Sequence, residues 1–158
     1  MGDTLRGSTT VLVFMGAYDE ALERELGDKA AAVKKGIMES VAQAQAKLIK
    51  QQTGAQELDL EALHSIIPPL LEENMGLVFE AVEKTPSKIV YNVGRCPVYE
   101  SSEMLGMDPA AIQARCHATS SLYLDALLKA LNPNVSLELD SFRQTAGDHC
   151  VESFVLSQ

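Results

Sequence analysis

The sequence predicts an α+β fold in which N-terminal helices are followed by a four-stranded antiparallel sheet covered by helices, in the order β-β-α-α-β-β. Apolar residues recur at helical spacing through the first half of the chain. In four short segments of the second half the period falls to two, which is typical of strands with one buried face. Helices and strands that are grouped in this way indicate an antiparallel sheet rather than alternating α/β units.

The length of the chain suits a single domain. Its 158 residues are enough for a hydrophobic core, and its contents of 46% hydrophobic and 22% charged residues are ordinary for a globular protein. We therefore predict one domain over 1–158, with a helical part at 1–74 and an α+β part at 75–158 that carries all three cysteines.

Two helices are predicted first. Residues 1–8 are polar and are expected to be frayed, and a helix follows over 10–26, with Asp28 as the cap of the next one. The second helix covers 29–52. Its predicted wet face carries Lys34, Lys35, Glu39, Gln43 and Lys47, and its predicted core face carries Ala31, Ala32, Val33, Ile37, Val41, Ala44 and Leu48. The alanine-rich face of 29–48 is also a candidate for packing on another copy.

A third helix and a hairpin follow. The helix is predicted over 59–74, opened by Asp59 and kinked or interrupted at Pro68-Pro69, since proline lacks an N–H. Strands are predicted over 76–84 and 88–94, separated by the turn residues Thr85-Pro86-Ser87.

The remaining elements complete the sheet and cover it. Pro97 suits the first turn of a short helix over 97–105, and a longer helix is predicted over 109–131. Alternation from Val135 predicts a third strand, and a fourth is predicted over 151–156 after the turn at Gly147-Asp148.

Charge and hydropathy exclude several classes of partner. The net charge of −9 argues against a nucleic-acid backbone, because phosphate binding needs clustered Lys and Arg. No apolar run approaches the ~20 residues of a membrane helix. The N-terminal apolar run is short and leads directly into a helical pattern, so we expect no signal peptide and a cytoplasmic protein. A small molecule is the expected partner.

The three cysteines form the strongest candidate site. Cys96, Cys116 and Cys150 all lie in the C-terminal half, each near a charged or titratable residue, and we expect them to converge on one pocket. Cys96 precedes a helix whose free N–H groups favour a thiolate, so we expect a lowered pKa and the most reactive thiol. The neighbouring candidates are Arg95, Tyr99, Glu100, Arg115, His117, Asp148 and His149.

A metal site is the alternative use of these thiols, and no cofactor is otherwise indicated. Zinc ribbons pair their cysteines as C-x2-C, whereas twenty positions separate Cys96 from Cys116 and thirty-four separate Cys116 from Cys150. The three cysteines are therefore metal ligands only if the fold assembles them.

The order of these motifs resembles the L-2-amino-thiazoline-4-carboxylic acid hydrolase family. The resemblance covers about 85–156 and rests on Cys96-Pro97, on Cys116, on Leu131-Asn132-Pro133 and on the series from Gly147 to Cys150. The chain is also distantly similar to vinyl-reductase-type small-molecule-binding domains.

The resemblance implies hydrolysis of a cyclic carbon–nitrogen bond in a small amidine. A thiolate or an activated water would attack the amidine carbon, which makes the three cysteines catalytic candidates. The other implied roles are an amidine partner at Asp148 or Glu100, a carboxylate partner at Arg95 or Arg115, and a proton donor at His117 or His149.

Two non-catalytic alternatives stay open. The chain has no recognisable nucleophile–base pair, which favours a module that only binds a small molecule or a metal. Alternatively, the chain is a helper subunit that docks onto a larger enzyme through its long N-terminal helices.

Overall fold

The computed structural model describes residues 2–157, and it confirms the α+β fold with N-terminal helices and one four-stranded antiparallel sheet. Met1 and Gln158, which the predicted frayed segment and the predicted domain include, lie outside the described residues. The elements are α1 (Gly2–Leu26), α2 (Lys29–Thr53), α3 (Leu60–Met75), β1 (Phe79–Lys84), β2 (Lys88–Val93), α4 (Pro97–Met104), α5 (Pro109–Cys116), a π-helical turn (His117–Ser121), α6 (Leu122–Leu131), β3 (Val135–Ser141) and β4 (Cys150–Leu156).

The sheet has the strand order β1-β2-β4-β3, and all neighbours are antiparallel. The last strand therefore lies between the hairpin and β3. In its register with β2, Cys150 is opposite Val93 and Phe154 is opposite Ile89. The beginning of β4 is thus fixed beside the end of β2, three residues before Cys96.

The hydrophobic core lies between the sheet and a layer of helices. Its buried members come from α2, α3 and α6 on one side and from β2, β3 and β4 on the other. Tyr91 and Phe154 are fully buried at its centre, with ring centroids 4.9 Å apart. The core joins the helical segment to the α+β segment.

Helix α1 begins earlier than the sequence indicates. Residues 2–8 belong to it, so the expectation of a frayed segment is wrong over the described part. Leu5 is buried against Gly76, which ends α3 in a left-handed conformation, with φ of 72°. A Cβ on Gly76 would stand 2.9 Å from the backbone of Leu5, so the absence of a side chain permits this contact.

Helix α2 presents to the core a different face from the one predicted. Lys34, placed on the wet face, is buried and forms ion pairs with Glu23 at 2.6 Å and Asp19 at 3.7 Å on α1. The helix packs on α6 through small side chains such as Ala42 and Ala46. The predicted core face is exposed instead, including its larger side chains Val33, Ile37, Val41 and Leu48.

The predicted helix 109–131 contains a π-helical turn. The turn inserts one residue between α5 and α6 and so changes which residues face inward. After Ile112 and Cys116 the buried positions are Leu124, Leu127, Leu128 and Leu131, not the Tyr123, Ala126 and Ala130 of a continuous helix. Thr119 Oγ1 donates to the carbonyl of Arg115 at 2.8 Å, inside the irregular turn.

Three local predictions have mixed outcomes. The carboxylate of Asp59 accepts from the N–H of Ala62, as a cap should, whereas Asp28 is helical and makes no capping hydrogen bond. Helix α3 continues through Pro68 and Pro69 without interruption.

Within residues 2–157, no helix combines the length and the hydropathy needed to cross a bilayer.

Candidate functional site

The three cysteines line one cavity between the sheet and helices α3–α6. Its volume is about 80 Å³, and its wall is mostly apolar. Cys96 is the residue before α4, Cys116 is the last residue of α5, and Cys150 is the first residue of β4. All three cysteines therefore converge on one cavity, as predicted. For Cys96 and Cys150 this follows from the pairing of Cys150 with Val93, since the chain reaches Cys96 three residues after Val93.

Burial controls the acidity of two of these thiols. It raises the pKa of Cys96 to about 11 and outweighs the opposing effects of the Tyr99 N–H, the Arg143 charge and the Val98 N–H. It raises the pKa of Cys116 to about 12, although the hydroxyl of Ser121 lies 3.7 Å from the sulfur. The expected thiolate at Cys96 is therefore wrong. The helix N-terminus is present, but desolvation is the larger effect.

Arg143 is the principal residue of the cavity that the sequence did not reveal. It lies after β3 and is only 2% exposed. Its Nε donates to Cys150 Sγ at 3.3 Å, and its Nη2 donates to the carbonyls of Val93, at 2.7 Å, and Gly94. Nη1 is buried and, within residues 2–157, has no hydrogen-bond partner. A buried donor of this kind is costly, so it marks a place where a ligand acceptor would be stabilised.

Glu152 is the acidic side chain in the wall of the cavity, as Arg143 is the basic one. It follows Cys150 by two positions in β4, lines the same cavity and is 9% exposed. Burial raises the pKa of its carboxyl to about 7, while the Arg143 charge acts in the opposite direction. Alternation along β4 could have revealed it, because residues 150 and 152 must share a face of the strand.

Tyr99 is the predicted substrate-binding residue that does line the cavity. Its hydroxyl donates to the carbonyl of Gln144 at 2.9 Å, and the guanidinium carbon of Arg143 lies 5.6 Å from its ring centroid. Tyr99 therefore helps to hold the segment between β3 and β4 against the cavity.

Four other predicted residues line a separate, open groove of about 1010 Å³. In it, Arg95 and Glu100 form a two-pronged ion pair with both distances at 2.8 Å. Asp148 accepts from the backbone N–H groups of Thr145 and Gln144, and the hydrogen bonding to Thr145 holds the pKa of Asp148 below its usual range. His149 is exposed in the same groove.

The structure brings neither Arg115 nor His117 to the cavity. Arg115 donates from Nη1 to Ser102 Oγ at 2.8 Å and from Nη2 to the carbonyl of Leu12 at 3.0 Å. These bonds fasten α1 to α4 and α5. His117 is exposed at the start of the π-helical turn.

Within the described part of the chain, no three His, Cys, Asp or Glu side chains are placed so that they could hold a metal ion. The three cysteines are unpaired thiols. The cavity is a mostly apolar space whose wall carries one basic side chain, Arg143, and one acidic side chain, Glu152.

Solved structures share this fold at low sequence identity. The trafficking protein particle complex subunit 3 of Naegleria fowleri, covalently bound to palmitic acid, has a TM-score of 0.64 and 8% identity over 96% of each chain. The phenol-responsive sensory domain of the transcription activator PoxR, with phenol, has a TM-score of 0.62 and 13% identity over 92% of this chain and 74% of that one. These likenesses establish the fold alone.

The family comparison is more specific than the structural one. No curated protein matches the sequence. The profile of the L-2-amino-thiazoline-4-carboxylic acid hydrolases, however, matches residues 9–154, which includes the helical segment as well as the cavity. The chain therefore belongs to the L-2-amino-thiazoline-4-carboxylic acid hydrolase family.

Proposed function

We propose that the protein is a hydrolase that opens a small cyclic amidine bearing a carboxylate, and that the cavity of Arg143 and Glu152 is its active site. The observation that carries the proposal is the buried Nη1 of Arg143, which has no hydrogen-bond partner among the described residues, in a side chain that lines the cavity of a member of this family. A substrate related to L-2-amino-thiazoline-4-carboxylic acid supplies the missing acceptor.

The charges of the cavity complement such a substrate. Its carboxylate accepts from Nη1 of Arg143, and charge-assisted hydrogen bonds to guanidinium are among the stronger polar contacts in proteins. Its amidine lies towards Glu152, whose carboxylate stabilises a protonated amidine. The cavity volume of about 80 Å³ is below the ~150 Å³ that admits benzene, so the substrate is one small ring and the wall moves as it enters.

Glu152 rather than a cysteine activates the nucleophile. Its pKa of about 7 suits a general base at neutral pH, whereas the pKa values of Cys96 and Cys116 keep both thiols protonated. Water adds to the amidine carbon as Glu152 takes its proton. The ring C–N bond then breaks, and Glu152 returns the proton to the departing nitrogen. The net change is the addition of one water molecule, which leaves a new primary amine on the product. The three thiols take no part in this step and only shape the wall around the ring.

The test is turnover of L-2-amino-thiazoline-4-carboxylate by the purified chain. We expect a product heavier by one water that carries a new primary amine, detected by mass spectrometry and amine derivatisation. Glu152→Gln should abolish turnover, and Glu100→Gln, in the separate groove, should retain it. A product with a new thiol would mean that the C–S bond breaks instead. Activity that survives Glu152→Gln would contradict the proposed base.

A second candidate is a module that binds a small molecule without reacting with it. The raised thiol pKa values favour it, and so do the bound molecules named for the two structural neighbours, palmitic acid and phenol. Calorimetry with L-2-amino-thiazoline-4-carboxylate and with phenol separates the two functions. Stoichiometric binding with recovery of unchanged ligand supports the module, and turnover supports the hydrolase.

The three unpaired thiols support the cytoplasm as the place of this reaction. Reducing compartments keep cysteines free, and all three cysteines of the chain are unpaired. Fractionation of the source cells with an antibody to the chain would test this location.

A further inference from the structure

A single layer of chain separates the small cavity from the open groove. At three points, one residue lines the cavity and its neighbour in the sequence lines the groove. The pairs, each with the cavity residue first, are Cys96 and Arg95, Tyr99 and Glu100, and Cys150 and His149. A molecule in the groove is therefore one layer of residues away from the cavity.

The irregular segment before β4, residues 144–149, forms part of this layer, and we name it the 144–149 loop. Its residues 146–149 line the groove, while Arg143 and Cys150 at its two ends line the cavity. Both ends are fixed, because Arg143 donates to the carbonyl of Val93 at 2.7 Å and Cys150 pairs with Val93 in the sheet. The loop can therefore move while Arg143 stays in place.

Few hydrogen bonds hold the 144–149 loop against the rest of the fold. The Asp148 carboxylate accepts from the N–H groups of Gln144 and Thr145, so these bonds close the loop on itself. Among the described residues, the hydrogen bond that joins the loop to a helix or strand is donated by the Tyr99 hydroxyl to the carbonyl of Gln144, at 2.9 Å. The position of the loop thus depends on Tyr99.

We propose that small molecules enter the cavity from the open groove, and that the 144–149 loop is the gate, which the hydrogen bond from Tyr99 to Gln144 holds closed. A gate is needed because the cavity, at about 80 Å³, is smaller than a ring that must enter it. One neutral hydrogen bond is weak enough to break and form again repeatedly, as in the loop motions that admit ligands in other proteins. The inference does not rest on the proposed hydrolase, since a module that only binds needs the same entrance.

The other walls of the cavity are less able to open. They are formed mostly by helices and strands that also build the hydrophobic core, such as those of Leu71, Phe79 and Leu124. Moving one of them would expose core side chains and break regular backbone hydrogen bonds. The 144–149 loop belongs to no helix or strand, so its displacement costs the least.

Timed labelling of Cys116 with methyl methanethiosulfonate tests the entrance without any substrate. Cys116 is 8% exposed and lines the cavity from α5, none of whose described residues lines the groove. A reagent that enters from the groove must therefore cross the cavity to reach it. Tyr99→Phe removes the closing hydrogen bond and should raise the labelling rate roughly twofold to tenfold, measured by mass spectrometry. Asp148→Ala, outside the cavity, should act in the same direction because it loosens the loop.

Asn132→Ala is the matched control for a general loss of stability. It removes the buried hydrogen bond to the carbonyl of Leu58 at 2.9 Å, at the end of the sheet opposite Cys150. The labelling rate of Cys116 should not change in this variant. A rise as large as that in Tyr99→Phe would mean that the reagent enters by unfolding of the whole chain, which would overturn the gate.

Obstruction of the groove tests the route. Glu103 is exposed in the groove, and a cysteine in its place should react quickly with pyrenyl maleimide. The attached pyrene should then slow the labelling of Cys116 several-fold, whereas pyrene on a cysteine at the exposed Glu83 of β1 should not. An unchanged rate with the groove obstructed, or no rise in either Tyr99→Phe or Asp148→Ala, would show that molecules reach the cavity by another path.

Discussion

Arg143, which lines the cavity, donates its Nε–H to Cys150 Sγ at 3.3 Å, while its buried Nη1 has no hydrogen-bond partner among the described residues. The bond joins the segment after β3 to the first residue of β4. Because Nη2 is held by the carbonyls of Val93 and Gly94, the guanidinium cannot rotate without breaking several hydrogen bonds. Nη1 is thus a donor in a fixed position, which is what recognition of a carboxylate requires.

The first prediction concerns that donor. Arg143→Lys keeps the charge but cannot keep all the hydrogen bonds, so affinity for L-2-amino-thiazoline-4-carboxylate should fall roughly tenfold to a hundredfold, as loss of a charged hydrogen bond implies. Calorimetry measures the change, and thermal melting shows how much stability is lost at the same time. The control is Arg95→Lys, which alters an exposed arginine of the open groove. Equal losses of affinity in both variants would contradict a specific role for Arg143.

The second prediction concerns the buried carboxyl of Glu152. Its pKa is about 7 in the folded chain against a reference of 4.5, so the folded state holds the proton more tightly. Between about pH 4.5 and 7 the folded state binds more protons than the unfolded state, and stability therefore falls as pH rises through this window. The loss is on the order of 3 kcal/mol above pH 7. Turnover, which needs the ionised carboxylate, should rise over the same range.

Glu152→Gln isolates this effect. The variant should lack that part of the pH dependence, so relative to the wild type it should be more stable at pH 8 than at pH 5. Urea unfolding at both values measures the difference, with Glu83→Gln, at an exposed position of β1, as the control. Identical pH dependence in Glu152→Gln and the wild type would show that Glu152 titrates normally.

The third prediction concerns thiol reactivity. With the pKa of Cys96 raised from 9.0 to about 11, its thiolate fraction near pH 8 is roughly a hundredfold below that of an unperturbed thiol. We expect alkylation of Cys96 and Cys116 to be slower by at least that factor than alkylation of a cysteine placed at Glu83. Mass spectrometry after timed labelling measures the rates, and unfolding in urea should equalise them. Rapid labelling of Cys96 in the folded chain would restore the view that its thiolate is stabilised.

The sequence indicates the strands well because their burial has a short, local signature. Ile89, Tyr91 and Val93 alternate with more exposed neighbours, and the structure buries all three. The same alternation correctly predicts that Cys96 and Cys150 lie at one site, since each is close to the end of a predicted strand.

The rest of the site depends on features that leave no periodic signature. The residue types of a π-helical turn do not differ from those of an α-helical turn. The sequence therefore does not indicate that Ser120 and Ser121 line the cavity. Arg143 lies in an irregular segment, where no spacing rule distinguishes a buried arginine from an exposed one. The sequence does not reveal the buried face of α2, because its alanines are a weaker apolar signal than the exposed Val33, Ile37, Val41 and Leu48.

The last prediction separates a structural arginine from a substrate-binding one. Arg115 links Ser102 and the carbonyl of Leu12, and both bonds are partly buried, so Arg115→Ala leaves acceptors unpaired and loosens α1. We expect a loss of about 2–3 kcal/mol in the free energy of unfolding. Arg95→Ala removes only a surface ion pair with Glu100 and should cost less than about 1 kcal/mol. Urea unfolding measures both. Neither variant should change ligand affinity at the cavity, because Arg115 and Arg95 lie outside it. If Arg115→Ala lost ligand binding while keeping its stability, Arg115 would belong to the binding site after all, and its contact with Leu12 would be incidental.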